Sequence, residues 1–323
     1  MEYQTEIEHA PKLRPEPDAK GARRAASFCA FATILVIAIS YAIVIGVSFL
    51  LKNVEIDELA IGNLNMIVSS ISIDLIAMPL AWLILLRRVK RNPEPEIGTV
   101  TPLSMRILLF LFPCAMALMI AGSLTGKLVG MLFGEGLSDV VSGVVESIDP
   151  WMTLICVVII APIMEELFFR KAMIDRLSAF HPTDAILFSA LLFGLVHGNL
   201  TQFLYTFPLG ILLGIIYYRT QNIRYTILLH VAVNTLGGLV PQLGTMLTGS
   251  MNETAATIVM AVYSQLILAL AVLGLIFLII RRKNFLPVPS RIPRFRRPFY
   301  VNVGFIIASI VFTALFVLNE IAA

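Results

Sequence analysis

The chain has 323 residues, of which 58% are hydrophobic and only 14% are charged. Soluble domains carry roughly 25% charged residues, so this composition and a mean hydropathy of +0.87 exclude a soluble globular protein and indicate an integral membrane protein. The net charge of +3 is small, and the basic residues lie beside apolar runs rather than along one helix face, which argues against a nucleic-acid partner.

Apolar segments long enough to cross a membrane recur along the whole chain. A spanning helix needs about 20 mostly apolar residues. The candidate segments are 25–51, 66–86, 105–126, 151–169, 184–200, 202–219, 223–241, 256–280 and 299–318. We therefore predict an all-α fold, a polytopic transmembrane bundle of about 8–9 helices.

The distribution of basic residues predicts the orientation in the membrane. All but two of the 24 lysines and arginines fall in the N-terminal tail or in the segments 87–106, 170–182, 219–224 and 281–297. Acidic residues collect in the opposite loops. The positive-inside rule then predicts a multi-pass protein of the cell membrane with a cytoplasmic N-terminus and, for nine spans, a C-terminus outside.

Glycines spaced by four residues mark two of the predicted helices. They are Gly122, Gly126, Gly130 and Gly134 in one helix, and Gly210 and Gly214 in a later one. A stripe of small residues lets another helix backbone come close. We expect packing between helices of the same chain, with a dimer interface as the alternative.

Few polar or ionisable side chains interrupt the apolar segments. They are Asp74, Glu165, Glu166, His197, His230 and the amide Asn234. Ionisable groups within a membrane are costly to insert, so each is a candidate functional residue. For Asp74 we expect a hydrogen bond to a neighbouring helix, and the alternative is contact with a substrate.

The two adjacent glutamates differ in whether a partner is available on their own helix. Asp149 and Pro150 are typical of a helix start and place both glutamates on one helix. Glu166 and Arg170 lie four residues apart, so they share a helix face and are predicted to pair. Glu165 lies about 100° around the helix and has no local partner. A group on another helix must therefore meet it.

Two histidines are candidates to meet Glu165. If the chain turns at His181, Glu165 and His197 are equally far along the chain from the turn and so lie at the same depth. His230 and Asn234 lie four apart on one helix face, about two turns from its cytoplasmic start. We predict that the carboxylate, both imidazoles and the amide meet at one level in the membrane.

The spacing of these residues resembles a known family. The patterns are Glu165-Glu166-x-x-x-Arg170, Phe193-x-x-x-His197 and His230-x-x-x-Asn234. Their order and spacing are similar to the three motifs of the CAAX-protease and bacteriocin-processing (CPBP) intramembrane proteases, also called the Abi family. The resemblance covers about residues 150–240, and it implies supporting roles for Arg170 and Phe193.

This resemblance gives the predicted domain organisation. Residues 1–24 form a cytoplasmic polar tail and 25–149 the N-terminal transmembrane helices. Residues 150–241 form a CPBP-like catalytic core. Residues 242–323 form the C-terminal transmembrane helices and contain the basic linker 281–297.

The candidate residues suit peptide-bond hydrolysis, which needs an activated water and a donor to the tetrahedral oxyanion. We assign Glu165 as the general base and Asn234 as the oxyanion donor. Glu166 and its arginine partner orient the base, and His197 and His230 hold the water or a metal. The resemblance implies the same roles.

A metal is one of two alternatives for this site. Glu165, His197 and His230 match a catalytic zinc set with one open position. The family that the motifs resemble has been described both as metalloproteases and as metal-independent glutamate proteases. The sequence leaves zinc and metal-independent catalysis open.

The leading functional hypothesis is an intramembrane endopeptidase that cuts a membrane-associated peptide or protein near the cytoplasmic face. One alternative is a non-catalytic bacteriocin-immunity or partner-binding membrane protein on the same scaffold. Another is a transporter in which buried glutamate and histidine relay protons. The partners expected are the lipid bilayer and the substrate, and the sequence does not specify an oligomeric state.

Overall fold

The computed structural model describes residues 18–89, 103–132, 140–285 and 296–322, and these residues form helices and turns without a β-strand. Among the described residues, seven helices are long and apolar enough to cross a membrane. They are α1 (Ala19–Leu51), α2 (Glu58–Arg88), α3 (Met105–Leu132), α5 (Pro150–Leu177), α7 (Leu200–Thr220), α8 (Ile223–Thr248) and α9 (Glu253–Phe285). The remaining helices are α4 (Val140–Glu146), α6 (Pro182–Leu195), α10 (Arg296–Tyr300) and α11 (Val303–Ala322).

This architecture confirms the predicted all-α polytopic bundle. Seven of the nine predicted apolar segments lie within the long helices, whereas 184–200 extends beyond α6 and 299–318 crosses the break between α10 and α11. Helix α2 begins earlier than the predicted segment 66–86, because Asp57 caps it by accepting a hydrogen bond from the Ala60 backbone N–H at 2.9 Å.

The predicted span 184–200 is wrong at its C-terminal end. Helix α6 has 14 residues, which is about 21 Å of helix and shorter than a hydrocarbon layer of about 30 Å. Gly198 adopts a left-handed conformation with φ of +63°, and Asn199 then caps α7. His197 therefore lies in a turn between two helices, and not on a helix as predicted.

The start of α5 lies where the sequence predicts it. Asp149 is the residue before the helix and Pro150 is the first helical residue. The Asp149 carboxylate makes no cap hydrogen bond within α5. Instead, it accepts a hydrogen bond from Asn63 Nδ2 at 2.7 Å, and the Asp149 N–H donates to Asn63 Oδ1 at 2.8 Å. These bonds tie α5 to α2.

Two large apolar clusters build most of the core of the described residues. One joins α1, α2, α5, α6, α10 and α11, and its fully buried members include Phe168, Phe169 and Phe193. The other joins α3, α7, α8 and α9 around residues such as Leu111 and Leu213. A smaller third cluster joins α5, α6 and α7 around Ile215.

The glycine stripes lie at helix contacts within the chain. A Cβ atom at Gly122 would collide with the backbone of α7 at Leu204, and one at Gly126 would press on Thr201. Gly210 and Gly214 pack in the same way against α6. This is the expected intramolecular packing, and it brings α3 and α6 close to α7.

Four π-helical segments interrupt the long helices. They are Ile71–Ala77 in α2, Thr153–Ile160 and Glu166–Ile174 in α5, and Thr235–Leu239 in α8. Wider turns of this kind rotate the side chains that follow them, and they occur frequently at functional sites.

Some predicted features lie outside the described residues. They are residues 1–17 of the tail, 90–102 of the basic loop, Gly134, and 286–295 of the basic linker.

Candidate active site

A cavity of about 430 Å³ lies between the two large clusters. One wall carries the predicted site, with Ala161, Glu165, His197, His230, Val233 and Asn234. Helices α2, α3 and α7 contribute further polar residues to the lining, namely Ser69, Ser70, Asp74, Ser123, Gln202 and Thr206. This volume lies in the range of ligand-binding sites, about 300–1,000 Å³.

Glu166 is fully buried and is held from two sides. Its Oε2 atom lies 3.1 Å from Arg170 Nε, and both side chains have 0% exposure. His230 Nδ1 donates to Glu166 Oε1 at 3.0 Å. The pairing with Arg170 follows the predicted i, i+4 spacing, whereas the contact with His230 was not predicted. Both carboxylate oxygens of Glu166 are therefore engaged away from the cavity.

Phe193 lies at the centre of the buried polar groups. The Arg170 guanidinium carbon lies 4.4 Å from the centroid of the Phe193 ring. Arg170 Nη1 and Nη2 have no hydrogen-bond partner among the described residues, so the ring face adds a cation–π contact to the ion pair with Glu166. The edges of His197 and His230 approach the same ring, with centroid distances of 5.2 and 5.8 Å.

Glu165 faces the cavity. Its side chain is 15% exposed, and its Oε2 atom lies 3.5 Å from His230 Nε2. Because His230 Nδ1 donates to Glu166, a neutral His230 carries no proton on Nε2. The approach of Nε2 to Oε2 then requires a proton on one of the two groups or a donor between them. Glu165 and His230 therefore form one proton-sharing unit.

His197 is fixed by its own turn. Its Nδ1 atom lies 2.8 Å from the Phe193 carbonyl oxygen, so Nδ1 carries the proton and donates it. The Nε2 atom of the neutral ring is then left as an acceptor, and the residue lines the cavity. An acceptor here can hold a water or a donor group of a ligand.

Asn234 lies on the cavity wall and is oriented by α5. Its Nδ2 atom donates to the Val157 carbonyl oxygen at 2.9 Å. Val157 lies within the π-helical segment Thr153–Ile160. An amide nitrogen carries two hydrogens, so one remains for a further acceptor.

The structure thus brings together all four residues predicted to share one level. Glu165, His197, His230 and Asn234 line a single cavity. For Asp74 the predicted hydrogen bond to a neighbouring helix is wrong, because Ser70 of the same helix donates to Asp74 Oδ2 at 2.9 Å.

The polar side chains that α7 contributes to the cavity were not predicted from the sequence. Gln202, Tyr205 and Thr206 of α7 line the cavity. Their three- and four-residue spacing within an apolar helix was the signal that could have identified this polar face.

The donors fit a zinc site only in part. The separation of 3.5 Å between Glu165 Oε2 and His230 Nε2 is near the roughly 3.3 Å between two ligands at about 2.0 Å from one tetrahedral zinc. However, no group of three His, Cys, Asp or Glu side chains in the described part of the chain is arranged to hold a metal ion. The three-ligand set of Glu165, His197 and His230 is therefore incomplete in this arrangement.

Fold and site together define a polytopic membrane protein with a buried glutamate–histidine centre. Residues 147–236 match the Rce1-like family model, described as type II CAAX prenyl endopeptidase Rce1-like. This match confirms the resemblance of the three motifs to the CAAX-protease family and supports a hydrolase that acts in the membrane. No curated protein and no solved structure gives a significant match.

Proposed function

We propose that this protein is an intramembrane endopeptidase in which Glu165 activates a water without a metal ion. The observation that carries the proposal is the difference between the two adjacent glutamates. Glu166 is fully buried between Arg170 and His230, whereas Glu165 opens onto the cavity beside His230 Nε2. A general base must reach both a water and a substrate, and of the two glutamates only Glu165 lines the cavity.

The reaction begins with a water held between Glu165 and the Nε2 acceptor of His197. Glu165 takes one proton while the water oxygen attacks the carbonyl carbon of the substrate. A tetrahedral oxyanion forms, and the free N–H of Asn234 donates to it. Glu165 then passes its proton to the amide nitrogen and the C–N bond breaks, so that the products are a carboxylic acid and an amine; the acid then gives up its remaining proton to become a carboxylate.

The remaining charged residues position the base. Arg170 compensates Glu166, and Glu166 accepts the Nδ1 proton of His230. This fixes the tautomer and directs His230 Nε2 at Glu165. The ion pair acts through His230 and does not touch the substrate in this scheme.

The substrate is a membrane-associated peptide or protein that enters the cavity near the cytoplasmic face. Burial of the site among membrane-spanning helices supports this class, and so does the family match. We also propose the topology that the basic residues predict, with a cytoplasmic N-terminus. Reporter fusions after α1 and α2 test this topology. The fusion after α1 must lie outside the cytoplasm, and the fusion after α2 must lie in the cytoplasm.

The function is tested in cells that carry wild type or Glu165→Gln at matched expression. Membrane peptides and protein N-termini are compared by mass spectrometry. A precursor that accumulates uncut in the variant, together with loss of its new N-terminus, supports proteolysis and identifies the substrate. If the protein N-termini are the same in both kinds of cell, while cells with Glu165→Gln still lose the phenotype that wild type gives, a non-catalytic binding or immunity role would be favoured.

A further inference from the structure

We propose that the part of the cavity lining contributed by α2, which packs beside the segment carrying Glu165, is a binding subsite for a cationic side chain, and that Asp74 is the acid that receives it. The inference rests on the proposed function, because it names the chemical class of substrate that the peptidase cavity prefers. That class is a peptide with lysine or arginine close to the cleaved bond.

Asp74 faces the same cavity as Glu165 from a different helix. It lies in the π-helical segment Ile71–Ala77 of α2, which packs directly against the segment Ala161–Glu165 of α5. Both carboxyl groups line the cavity of about 430 Å³. A peptide bond held at Glu165 therefore leaves an adjacent side chain within reach of Asp74.

The Asp74 carboxylate has little compensation from the protein. It is 4% exposed, and its one hydrogen bond among the described residues comes from the Ser70 hydroxyl at 2.9 Å. A carboxylate has about four acceptor positions. No lysine or arginine lines the cavity in the described part of the chain. A buried charge without a partner is unfavourable, so a cation from a ligand is the natural complement.

Two other ionisable side chains near the cavity, Arg170 and His230, already have partners within the protein. Arg170 is paired with Glu166, and His230 lies between Glu166 and Glu165. Neither side chain is therefore available to Asp74. The cavity lining from α2, α3 and α7 also offers neutral acceptors, including the side-chain oxygens of Ser69, Ser123 and Gln202, to the N–H groups of a bound ammonium or guanidinium.

Asp74 lies outside the segment 147–236 that matches the family model. The protease motifs therefore do not account for this acid. A selectivity element contributed by α2 would distinguish this chain from others that share only the catalytic motifs.

A binding experiment tests the subsite independently of cleavage. Purified protein in detergent is titrated with butylguanidinium or with its uncharged isostere butylurea, and the melting temperature is recorded. Butylguanidinium should stabilise wild type and Glu165→Gln, whereas butylurea should not. In Asp74→Asn, which retains the shape and the Ser70 hydrogen bond, the stabilisation should disappear. If butylguanidinium raised the melting temperature of Asp74→Asn as much as that of wild type, or raised it in none of the proteins, the inference would be overturned.

A cleavage experiment uses synthetic membrane-partitioning peptides in bicelles, with arginine, lysine, glutamine or norleucine varied around each bond. Wild type should favour the basic peptides. The ratio of kcat/KM for arginine over glutamine peptides should fall about tenfold or more in Asp74→Asn and recover in Asp74→Glu. Cleavage without preference for basic residues would contradict the subsite and leave the peptidase intact. Asp74-dependent binding without any cleavage would contradict the peptidase and leave the subsite.

Discussion

His230 Nδ1 donates a hydrogen bond to Glu166 Oε1 at 3.0 Å, while Nε2 of the same ring lies 3.5 Å from Glu165 Oε2. One imidazole therefore separates two neighbouring carboxylates into different roles. The fully buried Glu166 fixes the ring, and the cavity-facing Glu165 is left for chemistry.

The two glutamates should differ in their effect on stability. Glu166→Gln removes the charge that faces the fully buried Arg170, and breaking a buried pair in this way costs about 3–5 kcal/mol. Glu165→Gln removes a partly exposed charge and should cost much less. Unfolding of both variants in detergent, followed by circular dichroism, measures the difference. Equal losses of unfolding free energy would show that Arg170 does not depend on Glu166.

Asn234 should act on the chemical step. In Asn234→Ala the proposed oxyanion donor is absent, so kcat should fall by about 10²–10³ while KM changes little. The adjacent Thr235→Val is the matched control, because among the described residues the Thr235 hydroxyl donates to the Val231 carbonyl of its own helix and not to a group of another helix. A rise in KM at constant kcat would instead assign Asn234 to substrate binding.

Phe193 should be more important for activity than an equally buried phenylalanine nearby. Phe193→Leu removes the ring face under Arg170, an interaction of about 0.5–2 kcal/mol, so activity should fall about two- to thirtyfold. The control is Phe188→Leu on the same helix, whose ring contacts Phe299 and Phe305 away from the site. Kinetics and melting temperatures are compared for both. Parallel losses of activity and stability in the two variants would reduce Phe193 to a packing residue.

Removal of metal should leave the activity intact, because no three-donor group surrounds the cavity in the described residues. Protein dialysed against EDTA should cleave as fast as untreated protein, and its zinc content should be substoichiometric. Activity that is lost on chelation and restored by Zn²⁺ would support the zinc alternative. Zinc content that then falls in His197→Ala and in His230→Ala would identify the ligands.

Local spacing predicted the parts of the site that depend on one helix. The Glu166–Arg170 pair follows from a four-residue separation, and the shared level of Glu165 and His230 follows from helix rise. The Glu166–His230 contact was not predictable in this way. It requires the relative rotation of α5 and α8, and a π-helical segment begins at Glu166 itself. Hydrophobic periodicity contains no information on such a turn.

The position of His197 was also beyond local spacing, because residues distant in the chain shape its turn. Asn319 Nδ2 of α11 donates to the Gly198 carbonyl oxygen at 2.7 Å. Gly198 is the left-handed residue that ends the α6 region and directly follows His197. A helix more than a hundred residues away in the sequence therefore holds the backbone of the site.

Asn319 should consequently be a positioning residue for His197. In Asn319→Ala the partly buried Gly198 carbonyl loses its donor, at a cost of about 1–3 kcal/mol, and the turn gains freedom. We expect kcat to fall about tenfold with little change in KM. Asn319→Asp should behave like the alanine variant, because an ionised carboxylate cannot donate to a carbonyl. Thr313→Val is the control, since Thr313 is an exposed residue of the same helix. A lower melting temperature with unchanged kcat in Asn319→Ala would show that α11 stabilises the bundle without positioning His197.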